Sequence, residues 1–212
     1  RHRRSALKLA KTTSPDAYLR TTYLIKAGPF GVSPEWEARH AQICKAITDV
    51  EWPEGSGTFT LRAKKQANGV VPIKKSCMND LKTLGWSLET RFALSAEKRP
   101  GPIDATCFEK GKLLCLEWET GNISSSHRAL NKMALGLITG EFIGGVLIIP
   151  SRAMYYYLTD RIGNYAEIQP YFRMWQTLKV EEGVLAVIEI EHDALSTDVM
   201  HIEKGTDGRA LR

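Results

Sequence analysis

The sequence lacks the features of proteins that span a membrane and of proteins that are stabilised by disulfides or by structural zinc. Its 212 residues include only four cysteines, at positions 44, 77, 107 and 115, and no two of them form a Cys-x-x-Cys pair. No histidine stands at zinc-finger spacing from them, so we expect reduced thiols without structural zinc. The longest apolar run, residues 142–149, is too short to span a bilayer. Because no signal-peptide pattern opens the chain either, we expect a cytoplasmic protein.

The composition is that of an ordinary globular domain with a modest excess of positive charge. Hydrophobic residues make up 43% and charged residues 25% of the chain, and the net charge is +5. Basic side chains concentrate in residues 1–11 and in residues 61–77, a stretch without any acid. Such stretches are either solvated surface or contacts to a polyanion such as nucleic acid.

Turn residues divide the chain into two parts. Ser-Pro and Gly-Pro pairs before residue 35 predict a loose N-terminal arm or short elements over residues 1–34, followed by a folded domain over residues 35–212. Apolar periodicity within that domain predicts helices over 34–50, 75–84 and 126–138, short helices over 151–159 and 164–175, and strands over 58–62, 103–109, 112–119, 142–149 and 184–190.

The central segments define the fold class. Lys110-Gly111 is a turn signal that predicts a hairpin between its two flanking strands. Residues 124–126, all serine, are suited to capping the helix that follows. The continuous apolar run at 142–149 is typical of a strand that is covered on both faces. Strands and helices in this order predict an α/β protein with a central mixed β-sheet flanked by helices.

Three carboxylates are expected to meet near the end of the predicted hairpin. Glu117 and Glu119 share one face of their strand, while Trp118 points to the opposite face, because successive side chains alternate. Asp104 lies near the start of the partner strand, and pairing is expected to bring it opposite the glutamates. Three convergent oxygen ligands suit Mg²⁺, which activates water and stabilises charge in phosphodiester hydrolysis.

The carboxylates alone do not decide the chemistry. An isolated Glu-x-Glu is often no more than a charged strand end, and motif matches of this size are frequent by chance. Paired carboxylates also serve glycosidases, so the substrate class stays open at this point.

Longer segments resemble the BamHI family of type II restriction endonucleases. They occur in the family's order, cover approximately residues 50–210, and a shorter member of the family is similar to the stretch after Leu116 as well as to an Asp-Gly-Arg near the chain end. The matching segments are residues 68–74, 101–104, 116–128 (Leu-Glu-Trp-Glu-Thr-Gly-Asn-Ile-Ser-Ser-Ser-His-Arg), 156–161, 169–172 and 204–208.

The resemblance implies a nuclease active site. It implies the PD-(D/E)xK (restriction endonuclease-like) fold, with a glutamate in place of the usual lysine. Asp104 and Glu117 would hold Mg²⁺ together with the Trp118 carbonyl, and Glu119 would activate the attacking water. Glu89 matches a further metal-site acid, although its flanking residues differ from the family pattern.

The resemblance also implies the substrate and the partners. The family acts as a homodimer on double-stranded DNA at a six-base-pair palindrome, for which GGATCC is the candidate sequence, and belongs to prokaryotic restriction-modification systems with a cognate DNA methyltransferase that makes no stable contact. The helix over residues 126–138 would contribute to the dimer, although its apolar stripe is equally suited to a monomer core. By position, the DNA-contacting residues would be Lys74, Asn122, Ser124, Arg128, Asp160, Arg161, Asp207 and Gly208.

The chain departs from the family near its end, and two other functions stay open. Residue 209 is Arg where the longer family member has Met, so Arg209 could add a DNA contact. One alternative is a sequence-specific DNA-binding protein that does not cleave, which the intact carboxylates disfavour. The other is a structure-selective repair nuclease, which does not need a base-reading set of side chains.

Overall fold

A computed structural model describes residues 17–94, 101–119, 121–159 and 162–204. The strands are β1 (Tyr18–Ala27), β2 (Thr60–Arg62), β3 (Ser87–Arg91), β4 (Pro102–Glu109), β5 (Lys112–Trp118), β6 (Phe142–Pro150), β7 (Gly183–Ile190) and β8 (Ala194–Ser196). The helices are α1 (Pro34–Thr48), α2 (Val71–Thr83), α3 (Ile123–Ile138), α4 (Arg152–Tyr155), α5 (Tyr165–Ile168) and α6 (Phe172–Gln176), with 3-10 turns at Pro29–Val32 and Gln169–Tyr171.

Six strands form one mixed sheet. Their order is β1, β7, β6, β5, β4, β3, in which β5, β6 and β7 run parallel and the outer pairs are antiparallel. The strands β2 and β8 form a separate parallel pair. The carboxyl ends of the three parallel strands therefore lie at the same edge of the main sheet, where open α/β sheets usually bind ligands.

Both faces of the sheet are covered. On one face α1 and α2 pack through residues such as Trp36, Ile43 and Leu81, and on the other α3, α5 and α6 pack through Leu130 and Trp175. Every residue of β6 is buried, as expected for a central strand between two helical layers. The carboxyl edge is thereby held between two packed cores.

The structure confirms the central predictions. Lys110 and Gly111 both have positive φ angles, of 51° and 76°, as a two-residue hairpin turn between β4 and β5 requires. The strand predicted over residues 142–149 is β6, and the helix predicted over residues 75–84 is α2, which begins earlier, at Val71. Gly85, with a φ of 87°, follows the end of α2.

Of the two expectations for residues 1–34, short elements rather than a loose arm describe residues 17–34, because β1 pairs with β7, a 3-10 turn follows at Pro29–Val32 and α1 begins at Pro34. Residues 1–16 lie outside the described residues. The cap of α3 is Asn122, whose side chain accepts hydrogen bonds from the amides of Ser124 and Ser125, so the expected serine cap is wrong.

Within the described part of the chain, no helix combines the length and apolar character that crossing a membrane requires.

Candidate active site

Asp104 and Glu117 lie opposite each other where β4 and β5 separate. The last paired residues of the ladder at this end are Ala105 and Leu116, so the next two residues are no longer joined by backbone hydrogen bonds. Instead Asp104 Oδ2 accepts a hydrogen bond of 2.7 Å from the backbone N–H of Trp118. The side chain of Asp104 thus closes the gap between the diverging strands.

Lys74 approaches the same carboxylate from α2. Its Nζ donates to Asp104 Oδ1 at 2.5 Å, and both side chains are largely buried. Each oxygen of Asp104 therefore has a donor, one from β5 and one from α2. A positive charge at this position offsets the repulsion between Asp104 and its neighbour Glu117.

Glu117 has a strongly raised pKa. Burial and the nearby charge of Asp104 raise the pKa of Glu117 to about 8, opposed by a hydrogen bond with the Asp104 backbone and by the charges of Lys132 and Lys74. Among the described residues, no cation lies within ion-pair distance of its carboxylate. Such a group is stabilised as an anion only when further positive charge arrives.

Glu119 has a different environment, one residue beyond the end of β5. Its Oε1 accepts from the backbone N–H of Gly121 at 2.5 Å, and its Oε2 accepts from Ser126 Oγ, also at 2.5 Å. Burial raises the pKa of Glu119, while these two hydrogen bonds and the charge of Arg128 oppose the rise. Each carboxylate oxygen has two acceptor positions, so one on each oxygen remains available.

The three acids line one open cleft of about 760 Å³. The first half of α3 forms its opposite wall, from which Ser125, Arg128 and Lys132 face the acids. Lys132 also donates to the backbone carbonyl of Gly101 at 3.1 Å, which ties α3 to the segment before β4. An acidic sheet edge therefore faces a basic helix across a cleft of a size suited to a polyanion.

The geometry suits a cation between Asp104 and Glu117, but it does not gather three acids. In the ranges that the structure describes, no three histidine, cysteine, aspartate or glutamate side chains converge on one point. The expectation of three convergent ligands is wrong, because Ser126 and Gly121 hold the carboxylate of Glu119 away from Asp104 and Glu117. The Trp118 carbonyl faces the Asp104 side of β5 together with its N–H, because both groups of a strand residue point to the same neighbour. Oxygen donors of this kind are the ligands that Mg²⁺ prefers.

Comparison with known proteins identifies the family. The family model described as restriction endonuclease BamHI matches residues 17–209. The chain is 53% identical over 171 residues to the type II restriction enzyme OkrAI of Oceanobacter kriegii, a match covering 81% of this chain and 88% of that enzyme. The chain belongs to the BamHI family. It is also 38% identical over 178 residues to BamHI of Bacillus amyloliquefaciens, with 80% and 79% of the two chains covered.

Structural comparison confirms the fold of this BamHI-family protein. The crystal structure of the restriction endonuclease BglII in complex with a DNA 16-mer aligns with a TM-score of 0.59 over 82% of this chain and 78% of that chain. The identity is only 9%, so the likeness concerns the fold, which is of the PD-(D/E)xK type.

Glu89 lies on β3, next to the strand of Asp104. Its position falls between the pairs Leu88 with Ala105 and Thr90 with Ile103, which places it opposite Asp104 in register. It has a φ of 52°, a conformation that non-glycine residues rarely adopt and that often marks functional sites. Its side chain is exposed and does not line the cleft, so its predicted role as a metal-site acid stays a prediction.

The residues predicted to contact DNA fall into three groups in this BamHI-family fold. Asn122, Ser124 and Arg128 are exposed at the amino-terminal end of α3, beside the acids. Lys74 lies inside the cleft. The predictions for Asp160, Arg161, Asp207, Gly208 and Arg209 lie outside the described residues.

Sequence pattern did not identify the side chains that hold the acids in place. The family resemblance assigned Lys74 to DNA, Ser126 was expected only to cap a helix, and Lys132 was not singled out. One signal in the sequence could have placed Lys74 in the site. Lys74 stands three and seven residues before Cys77 and Leu81, so it shares the buried face of α2 with them. Its pairing with Asp104, 30 positions away, depends on how α2 packs against β4.

Proposed function

We propose that this protein is a Mg²⁺-dependent type II restriction endonuclease that hydrolyses phosphodiester bonds of double-stranded DNA at a six-base-pair palindrome, with GGATCC as the candidate sequence. The observation that carries the proposal is the arrangement of the acids. Asp104 and Glu117 form a cation-seeking pair, and Glu119 is held separately beside them in the same cleft. Membership of the BamHI family supports the same activity.

Asp104, Glu117 and the Trp118 carbonyl are the groups that would hold the metal. A bound divalent cation supplies a Lewis acid for the phosphoryl oxygen and lowers the pKa of water. At neutral pH the raised pKa of Glu117 leaves part of its population protonated before the cation binds. That proton is released when the site fills, so metal affinity is expected to rise with pH.

Glu119 is positioned to accept a proton from the attacking water. Its carboxylate is oriented by Gly121 and Ser126, and neither donor occupies all of its acceptor positions. Burial moves the pKa of Glu119 upward, toward the pH at which the reaction runs, as suits a general base. Separation from the Asp104–Glu117 pair keeps this base out of the metal's ligand set.

The amino-terminal end of α3 is suited to reading DNA bases next to the cleavage site. Asn122 and Arg128 are exposed there, and asparagine and arginine pair bidentately with adenine and guanine in the major groove. We assign Ser124 to the same surface. Asp160, Arg161, Asp207, Gly208 and Arg209 complete the proposed contacts, and Lys74 would meet DNA at the floor of the cleft.

A palindromic site calls for two copies of the chain. Two-fold symmetry of the protein matches two-fold symmetry of the DNA. On the outer side of α3 and on α6, a shallow groove is lined by exposed apolar side chains, among them Leu135, Ile138 and Met174. We assign this groove to the homodimer interface, since exposed apolar patches mark association surfaces.

The decisive experiment is digestion of a plasmid library by the purified protein with Mg²⁺, followed by sequencing of the cut ends. We expect discrete fragments whose ends share one palindrome, and no fragments in EDTA. Specific band shifts without any cutting would leave only a DNA-binding function. Cleavage that requires branched DNA would instead indicate a structure-selective nuclease.

A further inference from the structure

Asn68 joins three separate segments of the chain through its side chain. The residue is fully buried, and its amide uses all four of its hydrogen-bonding positions. Its Nδ2 donates to the carbonyls of Arg62 at 3.1 Å and Tyr157 at 3.0 Å. Its Oδ1 accepts from the amides of Arg62 at 3.2 Å and Ile202 at 3.4 Å. A buried polar network with every position satisfied is rigid and specifies one arrangement.

The backbone around Asn68 strengthens the same connections. The amide of Asn68 donates to the Tyr157 carbonyl at 3.0 Å, and its carbonyl accepts from Thr159 at 2.7 Å. The next amide, of Gly69, donates to the Ile202 carbonyl at 2.8 Å. A Cβ at position 69 would lie 2.0 Å from the Glu203 carbonyl oxygen, so only glycine permits this close approach. Hydrogen bonds to Asn68 and Gly69 thus hold residues 157–159 and 202–204, the two fastened segments, in place.

Each fastened segment leads to residues proposed to contact DNA. Thr159 immediately precedes Asp160 and Arg161, and Lys204 comes three residues before Asp207. Along the sequence, Asn68 is followed within three residues by α2, the helix that carries Lys74 into the cleft. By contrast, α3 with Asn122, Ser124 and Arg128 has no hydrogen bond to Asn68 among the described residues.

From these contacts we propose that Asn68 is a positioning residue for sequence discrimination. It fixes the spacing between the segment before Asp160 and the segment before Asp207, and it ties both to the helix of Lys74. The proposal rests on the proposed function, and it adds a residue that touches no DNA itself. Bases read through α3 do not depend on Asn68, whereas bases read through the two fastened segments do.

The test compares Asn68→Asp with the wild-type protein. Aspartate keeps the acceptor for Arg62 and Ile202 but places an oxygen against the carbonyls of Arg62 and Tyr157, which breaks two of the four bonds. Binding without divalent metal is measured, at one salt concentration, to the wild-type cleavage site and to duplexes with one symmetric base change. A wrong base pair usually lowers affinity roughly 5- to 150-fold. At base pairs that Asn122 and Arg128 do not read, we expect the affinity ratio between the wild-type site and the altered duplex to fall about tenfold in the variant. At base pairs that Asn122 and Arg128 read, this ratio should not change.

Loss of stability must be separated from loss of positioning. Ile43→Ala serves as the matched control, because Ile43 is buried in α1 and makes no contact with the fastened segments through hydrogen bonds. It should lower the thermal midpoint while retaining discrimination at every base pair. If Asn68→Asp discriminates as well as the wild type, or loses discrimination evenly at all positions, the proposal is wrong.

Hydrogen exchange on the wild-type protein gives a second measurement that needs no variant. The amides of Asn68, Gly69 and Thr159 should exchange slowly and with one common opening rate. Rapid exchange of any of them in the folded protein contradicts the proposal even if Asn68→Asp fails to fold. If the wild type neither cuts nor prefers any duplex, the proposed function fails and this inference with it. Normal wild-type cutting together with an unaffected variant overturns the inference alone.

Discussion

At the scale of single residues, the three acids differ through their partners rather than through their type. Asp104 has a donor on each oxygen, from Trp118 and Lys74. Burial beside another carboxylate raises the pKa of Glu117 to about 8. Gly121 and Ser126 orient the carboxylate of Glu119. A general base needs such orientation toward the proton that it accepts. The environment thereby gives similar side chains different tasks.

Replacing Glu119 tests its role as the base. Glu119→Gln keeps the size of the side chain and can still pair with Gly121 and Ser126, but it cannot accept a proton. We expect the single-turnover cleavage rate to fall by about 10²–10⁴-fold, the usual range for general bases, with unchanged DNA affinity. Ser126→Ala removes only one of the two orienting hydrogen bonds, so it should lower the single-turnover cleavage rate by at most about tenfold. Cleavage by Glu119→Gln at the wild-type rate would exclude Glu119 as the base.

Replacing Lys74 tests the contact with Asp104. The ammonium competes with a divalent cation for Asp104, so Lys74→Met should increase the affinity of the DNA-free protein for Ca²⁺ by roughly tenfold. Calorimetric titration measures this without any cleavage. Lys75→Met is the control, because Lys75 is an exposed neighbour on the same helix. A decrease in affinity would mean that Lys74 assists metal binding.

The acids could be predicted from the sequence because strand alternation is a local rule. Glu117 and Glu119 are two residues apart, and the Lys110-Gly111 turn fixes the register that brings Asp104 opposite Glu117. Lys74 could not be placed in the same way. Its partner lies on another element, and only the packing of α2 against the sheet decides which side chain it meets.

At the scale of elements, the start of α3 combines a structural and a functional position. Asn122 caps the helix through hydrogen bonds to the amides of Ser124 and Ser125, at 3.0 and 3.3 Å. Sequence pattern predicted a cap among the serines at 124–126, although Asn and Ser are about equally favoured at this position. Only the extended backbone of Asn122, with φ of −78° and ψ of 169°, decides between them.

The cap gives a prediction for stability. Asn122→Ala should lower the free energy of unfolding by about 0.5–2 kcal/mol, the usual cost of losing an N-cap. Ser124→Ala should change it by less than about 0.5 kcal/mol, because the exposed Ser124 takes part in the cap only through its backbone. Urea denaturation of the DNA-free proteins measures both. Equal destabilisation by the two variants would contradict the assignment of the cap.

The strand β1 is the longest of the three strands that sequence pattern failed to predict, the others being β3 and β8. It is an edge strand with register shifts between Tyr18 and Arg20 and between Tyr23 and Ile25, so its polar and apolar residues do not alternate regularly. Prolines on either side of it also suggested a loop. Its stability comes from β7 and from α1, where His40 Nε2 lies 2.7 Å from Thr21 Oγ1.

The partial burial of His40 predicts a dependence of stability on pH. Burial, together with the charge of Lys26, lowers the pKa of His40 below its usual 6.5. The unfolded chain therefore binds this proton more readily than the folded one, and the stability present above pH of about 6.5 is lost as the pH falls through the folded pKa. His40→Gln should weaken the fall in unfolding free energy between pH 7.5 and pH 5.5. An identical pH dependence in the variant and the wild type would show that His40 does not titrate in this range.

At the scale of the whole molecule, one edge of the sheet gathers the chemistry. The parallel strands β5, β6 and β7 all end there, and Glu119 follows the first of them. The first turns of α3 supply exposed base-reading candidates beside that edge, while Asn68 fastens two further segments. Topology could be predicted as mixed α/β from the order of elements, but the joining of residues 62, 157 and 202 at Asn68 spans the whole chain and follows only from the folded structure.

The proposed homodimer gives the last prediction. Ile138 and Met174 are 51% and 62% exposed and line the groove between α3 and α6, so burying them against a second copy removes apolar surface from water. Ile138→Asp would place a charge in that interface, which costs several kcal/mol when no partner is present. Sedimentation velocity should then show a dimer for the wild type and a monomer for the variant, and cleavage of the palindrome should be lost with the dimer. Phe108→Asp is the control: Phe108 is 68% exposed on β4, outside the groove, so this variant should remain dimeric and active. A dimeric, active Ile138→Asp protein would place the interface on another surface.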